Sequence, residues 1–539
     1  MNTKIRSFWN NKWLLSIVAG ILLGLSFPPF PFPFLEFPAL IFILRLITLS
    51  KSARQAAYYS YPGFFIWNVI VSYWMMLASV IAGIAAILAN AVLMSLIVML
   101  QYFAQKKFKN GWIIALLQTA FWVSFEYLHL HWDLSWPWLS LGNAWANATA
   151  VIQYISATGY LGISFWVMFS STLIYQIIRQ PGKNLKIGAS VVLLLFPVIS
   201  LIQLAFLPAS AKKTIHSEKK VQVVAAQPNF NTYKSNGGYA TPQKALKHLF
   251  ALSDSVRTSK TQLILWPESG IYPYITNRSA RSYAARQVKK RLKKRAETWN
   301  TTIIGGTGYL QYFPKNDHPP LPKWAGKIPY LTYNAAVGFY PNQTIKVYRK
   351  HNLVPVIERF PYVRFFNKID VFGLINWASI QQFGEGHQPD QFNIDGTKVP
   401  VLICYDSIYP GWVRHFIQNG AGFISIITDD GWWGNTSGHI QHFDYARLRA
   451  IEFRRWVIQD SNNGTSGVIT PDGSVKKRTR FGDRTAFRYN VPVLHKFTFY
   501  TRFGDWLPVS LLVISAISIV ALIFSYFYPE RWNSLGASP

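Results

Sequence analysis

The chain has 539 residues, of which 14% are charged, whereas soluble domains carry about 25% charged residues. Aromatic residues make up 16%, and the mean hydropathy is +0.14. This composition excludes a disordered or fibrous chain and argues against a wholly soluble enzyme. A single cysteine excludes an intramolecular disulfide, a multi-cysteine zinc site and an iron–sulfur cluster.

The formal net charge of +31 would suit either nucleic acid or an anionic lipid surface. Most of the basic residues lie between 211 and 500, in a water-compatible segment that is flanked by apolar sequence. This segment contains no RNA- or DNA-binding motif, and its charges are scattered over many loops. We therefore interpret the charge as a surface property and expect no nucleic-acid partner.

Apolar runs of about 20 residues, the length that crosses a bilayer, predict about eight membrane spans. The first run lacks a small-x-small cleavage site, so it is expected to remain as an anchor. The predicted organisation is a membrane domain over 1–207, a water-compatible domain over 208–504, and a last span with a short tail over 505–539. The eight runs lie near 13–27, 34–50, 56–77, 78–104, 112–130, 151–178, 187–207 and 505–528.

The orientation follows from lysine and arginine in the short loops, which favour the cytoplasmic side. Basic residues occur before the first span and after the second, fourth and sixth, as at Lys4, Lys51, Lys106 and Arg179, whereas the alternate loops carry none. The amino terminus is thus predicted inside and the 208–504 segment outside.

Within the spans, Glu126 has two open interpretations, a functional intramembrane carboxylate or a structural hydrogen-bonding group.

In the outer segment, short β-branched runs alternate with amphipathic helices, which predicts an α/β layered sheet. Three residues at predicted strand ends could carry chemistry, namely Glu268 in "LILWPE", Lys350 in "VYRKHNLVP" and Cys404 in "VLICYDS". Each alone has an ordinary explanation: a solvated strand-end carboxylate, a surface lysine and an inert core thiol.

Together, the three residues point to covalent catalysis. A thiol becomes a good nucleophile as the thiolate, which requires a base and nearby positive charge. If the strand ends converge, Glu268 can accept the thiol proton, Lys350 can stabilise a tetrahedral oxyanion, and Cys404 can carry an acyl group as a thioester.

The chain resembles the apolipoprotein N-acyltransferases, the membrane branch of the nitrilase (carbon–nitrogen hydrolase) superfamily. The motifs that carry the resemblance are "WPES" at 266–269, "YRKHNLVP" at 348–355, "ICYDS" at 403–407, "TDDGWWG" at 428–434, "QHFDYARLRAIE" at 441–452 and "SNNGTSGVITPDG" at 461–473. The resemblance implies a polytopic helical bundle that carries a nitrilase-like αββα sandwich.

The resemblance also implies residue roles. It makes Glu268 the general base, Lys350 the oxyanion stabiliser and Cys404 the acyl carrier, with Glu358 as a second essential carboxylate. Tyr405 and Asp406 occupy two further functional positions. Asp406 replaces the more common glutamate and is one methylene shorter, so we expect an altered pocket around it.

The implied reaction moves an acyl chain from a membrane phospholipid, through a cysteine thioester, to the N-terminal amine of a diacylglyceryl-modified apolipoprotein. The implied setting is the bacterial cytoplasmic (inner) membrane, with the catalytic domain on the periplasmic side and the protein acting as a monomer among membrane lipids without a cofactor. The alternative is a membrane-tethered amidase acting on small amides, although one anchor would then suffice. A transporter or receptor would require charges inside the bundle, and the spans supply almost none.

Two further features of the sequence have competing interpretations. His439, His442 and Asp444 could be metal ligands, but the segment matches a structural helix, and we expect no metal site. Aromatic residues in two loops, Phe372 and Trp377 in one and Trp138 and Trp145 in the other, are expected to line a lipid entrance, since tryptophan favours the membrane interface. The alternative is that these rings pack on the domain.

Overall fold

A computed structural model describes residues 3–215, 219–278, 283–370, 373, 375–380 and 382–527. The chain forms two compact units. One comprises Met1–Phe206 and Phe503–Pro539, and the other comprises Leu207–Arg502.

The first unit is helical. Each of the eight predicted spans coincides with an apolar helix, and in the described residues five helices are long and apolar enough to cross a membrane. These five are Val80–Lys107, Gly111–Leu128, Leu161–Arg179, the Lys183–Phe206 segment and the C-terminal Trp506–Ser525. The N-terminal helices are α1 Thr3–Asn10, α2 Lys12–Ser26, α3 Glu36–Leu49, α4 Ala53–Ser72, α5 Met75–Ala78, α6 Val80–Lys107, α7 Gly111–Leu128, α8 Leu141–Ala144, α9 Ile155–Thr158, α10 Leu161–Arg179 and α11 Lys183–Ile215.

Local sequence explains where several of these helices begin and how they pack. Asn110 accepts a hydrogen bond from the Trp112 amide at 2.9 Å and thereby caps α7. Helices α2 and α4 approach closely at Gly20 and Gly63, where a Cβ on Gly20 would lie 2.2 Å from the Gly63 carbonyl oxygen. Small residues allow such close contact between membrane helices.

The sixth predicted span is too long at its amino-terminal end. The apolar run begins near 151, but α10 begins only at Leu161, and the residues before it form short turns and α9. The backbone at Gly159 has φ +70°, which ends α9 after Thr158. Hydropathy alone cannot reveal such a break.

The second unit is built on two main sheets. Its helices are α12 Pro242–Asp254, α13 Tyr283–Trp299, α14 Val363–Ile369, α15 Trp377–Ile380, α16 Pro410–Gln418, α17 Ser437–Phe453 and α18 Phe499–Phe503, after which α19 Trp506–Phe527 returns to the first unit. Its strands are β1 Lys220–Gln227, β2 Leu263–Trp266, β3 Ile275–Thr276, β4 Thr302–Tyr312, β5 Lys323–Ala325, β6 Ile328–Phe339, β7 Lys346–Arg349, β8 Phe392–Ile394, β9 Thr397–Val399, β10 Val401–Ile403, β11 Ile424–Thr428, β12 Val457–Ser461, β13 Gly467–Ile469, β14 Val475–Arg478 and β15 Thr485–Pro492.

The sheets stack as a sandwich. The first has the order β15-β1-β2-β4-β6-β5, with β3 beside β4 and β7 beside β6, and the second has the order β10-β11-β12-β13-β14. Strands of the two sheets contact one another, while α12 and α13 cover the outer face of the first sheet and α17 packs on the second. This arrangement confirms the predicted αββα sandwich, and it explains why β2 is entirely apolar, since both of its faces are covered.

The sheets also set the location of the site. Strands β1, β2 and β4 run parallel in one sheet, and β10, β11 and β12 run parallel in the other. In open α/β sheets, ligands bind beyond the carboxyl ends of such strands.

Candidate active site

The three residues predicted to act together emerge from the ends of separate strands. Glu268 follows β2 by two residues, Lys350 directly follows β7, and Cys404 directly follows β10. All three are buried. The Nζ of Lys350 lies 3.5 Å from Oε1 of Glu268, and the charges of both groups act on the thiol of Cys404.

Cys404 occupies an unusual backbone conformation. Its φ is +47°, in the left-handed region that few residues other than glycine adopt, and it begins a short 3₁₀ turn over Cys404–Ile408. Burial raises the pKa of the Cys404 thiol well above its usual range, and Glu268 raises it further, while Lys350 opposes both effects. The resting thiol is therefore protonated at neutral pH, and ionisation needs a base.

Glu268 has the partners that a base requires. Its Oε1 accepts a hydrogen bond from Nδ2 of Asn334 at 2.6 Å, and its Oε2 accepts one from the Asp429 amide at 3.0 Å. Burial raises the pKa of Glu268, the ammonium of Lys350 lowers it, and the second carboxylate, Glu358, raises it. The net shift is upward, which moves this carboxylate toward the range of a general base.

Lys350 is held between two carboxylates. Its Nζ lies 2.9 Å from Oε2 and 3.0 Å from Oε1 of Glu358, in addition to the 3.5 Å contact with Glu268. Burial alone would lower the pKa of Lys350, but the attraction of Glu358 and Glu268 outweighs it and raises that pKa. The ammonium therefore stays charged and fixed, as a donor to a developing oxyanion must be.

Sequence reasoning missed Asn334, which lies on β6 and joins the two carboxylates. Its Nδ2 donates to Glu268 at 2.6 Å and to Glu358 at 2.8 Å. This amide therefore sets the spacing of both acids around Lys350. A single asparagine in an apolar strand, as in "YNAAVGFY", was the only available signal, and its partner lies 66 positions away.

Replacing Asn334 by alanine should slow acylation of the enzyme about tenfold to a hundredfold, because it removes the donor that the two buried carboxylates share and leaves Oε1 of Glu268 with only its 3.5 Å contact to Lys350. Loss of the donor also raises the pKa of Glu268, so the acid limb of the pH–rate profile should move to higher pH. A mere packing defect would lower the rate and leave this limb in place. Asn334→Asp should be slower still, since it adds a third carboxylate.

Asp406 positions the segment that carries Lys350. Its Oδ2 accepts from the Tyr348 hydroxyl at 2.6 Å, and its Oδ1 accepts from the Asn352 amide at 2.7 Å. Trp412 Nε1 donates to the same hydroxyl at 2.9 Å. The shorter side chain at this position is thus fully engaged with residues on either side of Lys350.

The neighbouring Tyr405 is buried, with its ring edge-on to Tyr409 at 5.2 Å.

Tyr348→Phe should destabilise the protein by about 1.5–3 kcal/mol, the usual worth of a hydrogen bond to a charged group. The variant deprives Asp406 of a buried donor and Trp412 of its acceptor. Thermal unfolding in detergent measures the effect, and Tyr330→Phe, at a half-buried position on β6, is the matched control. Equal unfolding temperatures for the two variants would contradict the positioning role of Asp406.

A second buried network lies under the cysteine turn, and sequence reasoning also missed its role. His442 Nδ1 lies 3.0 Å from Oδ1 of Asp430, and its Nε2 lies 3.1 Å from the Ser407 hydroxyl and 3.3 Å from the Cys404 carbonyl oxygen. The Ser407 hydroxyl also donates to that carbonyl at 2.7 Å. These bonds hold the turn in which Cys404 has positive φ.

The residues considered as metal ligands are engaged in other contacts. His439 Nδ1 lies 3.0 Å from the Thr465 hydroxyl, and Asp444 lies 3.4 Å from Arg478. Together with the His442–Asp430 contact, they fit the interpretation of α17 as a structural helix.

The predicted entrance residues have defined surroundings except for Phe372, which lies outside the described residues. Trp377 is 8% exposed, its ring stacks on Phe366 at 5.8 Å, and its Nε1 donates to Asp370 at 2.9 Å. Trp138 is 1% exposed and stacks on Trp136, and Trp145 is 5% exposed. All three described rings therefore pack within their own units, and their entrance role stays a prediction.

Two carboxylates are buried in the helical unit. Oε1 of Glu126 accepts from Trp122 Nε1 and from the Leu141 amide, both at 2.8 Å. Oε2 of Glu36, which sequence reasoning missed, accepts from Trp145 Nε1 at 2.7 Å. Glu36 and Glu126 thus fasten the loop around Leu141–Trp145 to α3 and α7, and these contacts of Glu126 support the structural one of its two interpretations.

Comparison with known proteins agrees with this architecture. Residues 19–173 match the family model described as the apolipoprotein N-acyltransferase N-terminal domain, and residues 220–485 match that described as carbon–nitrogen hydrolase. The chain is 29% identical to an apolipoprotein N-acyltransferase of Chlorobaculum tepidum, over 95% of this chain and 97% of the relative. It is 24% identical to one of Thermotoga maritima, over 97% and 95%.

Among solved structures, the chain is similar to a member of branch 10 of the nitrilase superfamily from Saccharomyces cerevisiae. The two are 16% identical with a TM-score of 0.35, over 54% of this chain and 95% of the other.

Proposed function

We propose that this chain, which belongs to the apolipoprotein N-acyltransferase family, transfers an acyl chain from a membrane phospholipid to the N-terminal amine of diacylglyceryl-modified apolipoproteins. The observation that carries the proposal is the buried Glu268–Lys350–Glu358 cluster beside Cys404, in a chain that also has long apolar helices. An amidase acting on small amides is not favoured, because the relatives that match along the whole chain are N-acyltransferases.

The first half-reaction forms a thioester. Glu268 accepts the proton of Cys404, and the thiolate attacks the ester carbonyl of the phospholipid. Lys350 stabilises the oxyanion. The carbon–oxygen ester bond then breaks, and the departing lysophospholipid alcohol takes the proton from Glu268, so that acid and base roles alternate in one carboxyl group.

The second half-reaction transfers the acyl chain. The α-amino group of the lipid-modified cysteine attacks the thioester carbonyl, and Glu268 accepts the proton that this nitrogen loses. Collapse of the tetrahedral intermediate breaks the carbon–sulfur bond and forms the amide. The proton on Glu268 returns to the sulfur, which restores the Cys404 thiol without a cofactor.

We also propose that the protein acts as a monomer in the bacterial cytoplasmic membrane. Residues 1–207 and 505–539 would contribute the membrane part, and 208–504 the periplasmic catalytic domain. The basic residues in alternate short loops support this orientation. Protease treatment of intact spheroplasts should cleave within 208–504, whereas cleavage confined to inverted vesicles would contradict the proposal.

The function is tested with the purified full-length protein in detergent micelles. Phospholipid carrying a labelled acyl chain and a diacylglyceryl-cysteine peptide should yield an N-acylated peptide and a lysophospholipid in equal amounts. The same preparation offered a small amide tests the amidase alternative. Ammonia release from the amide without acylation of the peptide would refute the proposed function.

The lipid entrance is proposed around α14 and α15, since several apolar side chains there are exposed although Trp377 is packed. Phe365 is 59% exposed and Ile369 is 55% exposed. Replacing Phe365 and Trp377 by serine should raise the KM for phospholipid at least about tenfold, because losing the burial of even one ring costs about 2 kcal/mol and each 1.4 kcal/mol of binding free energy changes the affinity about tenfold. Trp324→Ser on β5, where the ring is also exposed, is the control. An unchanged KM would place the entrance elsewhere.

A further inference from the structure

Two imidazoles and a carboxylate form a cluster that the proposed reaction does not use. One ligand atom from each of His351, Glu385 and His387 lies within 4.8 Å of the others. Oε1 of Glu385 is 3.5 Å from Nδ1 of His351 and 4.0 Å from Nδ1 of His387. We propose that these three side chains bind a Zn²⁺ ion.

Two of the ligands are already oriented by other groups. His351 Nδ1 lies 2.6 Å from the Gly386 carbonyl oxygen, which can only accept, so the proton is on Nδ1 and Nε2 keeps the lone pair. The His351 ring stacks on Trp412 at 4.0 Å. Arg359 donates to Oε2 of Glu385 at 3.1 Å, which turns Oε1 toward the histidines. Such outer partners are what orient ligands in metal sites.

His387, the remaining ligand, can move to complete the zinc coordination geometry. Zinc–nitrogen and zinc–oxygen bonds of about 2.0–2.2 Å require ligand atoms roughly 3–3.5 Å apart, so the side chains must move inward from the 4.8 Å within which their ligand atoms now lie. The His387 side chain is 63% exposed and can rotate to do so. Two histidines and one glutamate form a common zinc ligand set that leaves a fourth position for water.

A zinc ion at this location would stabilise a segment that supports the proposed active site. The Gly386 amide donates to the Lys350 carbonyl oxygen at 2.8 Å, and the Phe383 amide donates to the Glu358 carbonyl oxygen at 3.1 Å. The segment 383–387 therefore supports both residues of the central ion pair. Zinc bound to His351, Glu385 and His387 would tie this segment to the end of β7. Binding itself does not depend on the proposed function.

The test uses full-length protein in detergent, purified with a histidine-free tag and stripped with EDTA. Calorimetric titration with ZnCl₂ should show one site per chain, and Zn²⁺ should raise the unfolding temperature. His387→Ala and Glu385→Gln should each weaken binding at least about tenfold. His495→Ala removes another exposed histidine and should bind as wild type does.

Co²⁺ titration provides a second readout, since its visible absorption reports bound imidazole and carboxylate. A band in wild type that is lost in His387→Ala supports the site. Wild-type affinity in both His387→Ala and Glu385→Gln, or an equal loss in His495→Ala, would overturn it. Acyl transfer by the EDTA-treated protein is measured in parallel, so failure of the zinc site and failure of the proposed function give different results.

Discussion

Replacing Cys404 by alanine should abolish acyl transfer, with a loss of more than about 10⁴-fold, because covalent catalysis loses its nucleophile. No acyl adduct should appear by intact-mass spectrometry after incubation with phospholipid, whereas wild type should gain one acyl chain. Cys404 is the only cysteine, so the adduct in wild type has one possible thioester site. Alkylation of that thiol should remove activity in the same proportion.

The burial of Cys404 also predicts how the rate of its alkylation depends on pH. Because burial raises the pKa of its thiol, alkylation at neutral pH should be slow and should accelerate as pH rises. The Glu268→Gln variant should lose acyl-adduct formation while keeping the thiol. Full alkylation with retained turnover would exclude covalent catalysis through Cys404, and a persistent adduct in Cys404→Ala would place the acyl group on another residue.

The pH dependence follows from the direction of the shift at Glu268. Its pKa is raised, chiefly by burial, and a general base must be deprotonated to accept the thiol proton. The acylation rate should therefore be at its maximum above this raised pKa and should fall as the pH drops through it. A single-turnover pH profile measures this limb, and Glu268→Gln should eliminate it together with the reaction.

Much of the architecture could be predicted because it depends on local composition. Hydropathy placed all eight apolar helices, and the alternation of strands and helices indicated a layered sheet. The exception near Gly159 shows the limit, since a backbone angle of φ +70° interrupts a run that is mostly apolar. Length and hydropathy report burial and do not report local dihedral angles.

The site could be predicted only in part, for a different physical reason. The triad residues lie in motifs, but their partners are ordinary residues that folding brings in from elsewhere. Asn334 reaches Glu268 across 66 positions, and His442 reaches Asp430 across 12. His351, Glu385 and His387 likewise come from two separate loops. An asparagine in a strand or a histidine in a helix has no local pattern that distinguishes such roles.

The second large effect is expected at Lys350. Lys350→Met should lower the acylation rate about a hundredfold to a thousandfold, the usual cost of removing one oxyanion donor. Arginine should not rescue it, because the planar guanidinium is larger and directs its donors differently. Lys346→Met removes an exposed lysine from the start of β7, the strand that Lys350 follows, and is the matched control, with activity near that of wild type.

Lys350→Met also leaves Glu268 and Glu358 without their shared cation, and an uncompensated buried charge costs about 3–5 kcal/mol. Unfolding alone would then also reduce activity. The double variant Lys350→Met, Glu358→Gln separates this effect from the loss of the oxyanion donor. Removing one charge of each sign should restore much of the unfolding temperature and should not restore acylation.

Glu358 itself should be required because it holds the ammonium at 2.9 Å. Glu358→Gln keeps the size of the side chain but removes the charge that raises the pKa of Lys350, so we expect a loss similar to or smaller than that of Lys350→Met. Single-turnover measurement isolates the acyl-enzyme step. Near-wild-type acylation in Glu358→Gln would show that Glu268 alone fixes Lys350. The proposed roles of Cys404, Lys350 and Glu268 would remain, and Glu358 would be a packing residue.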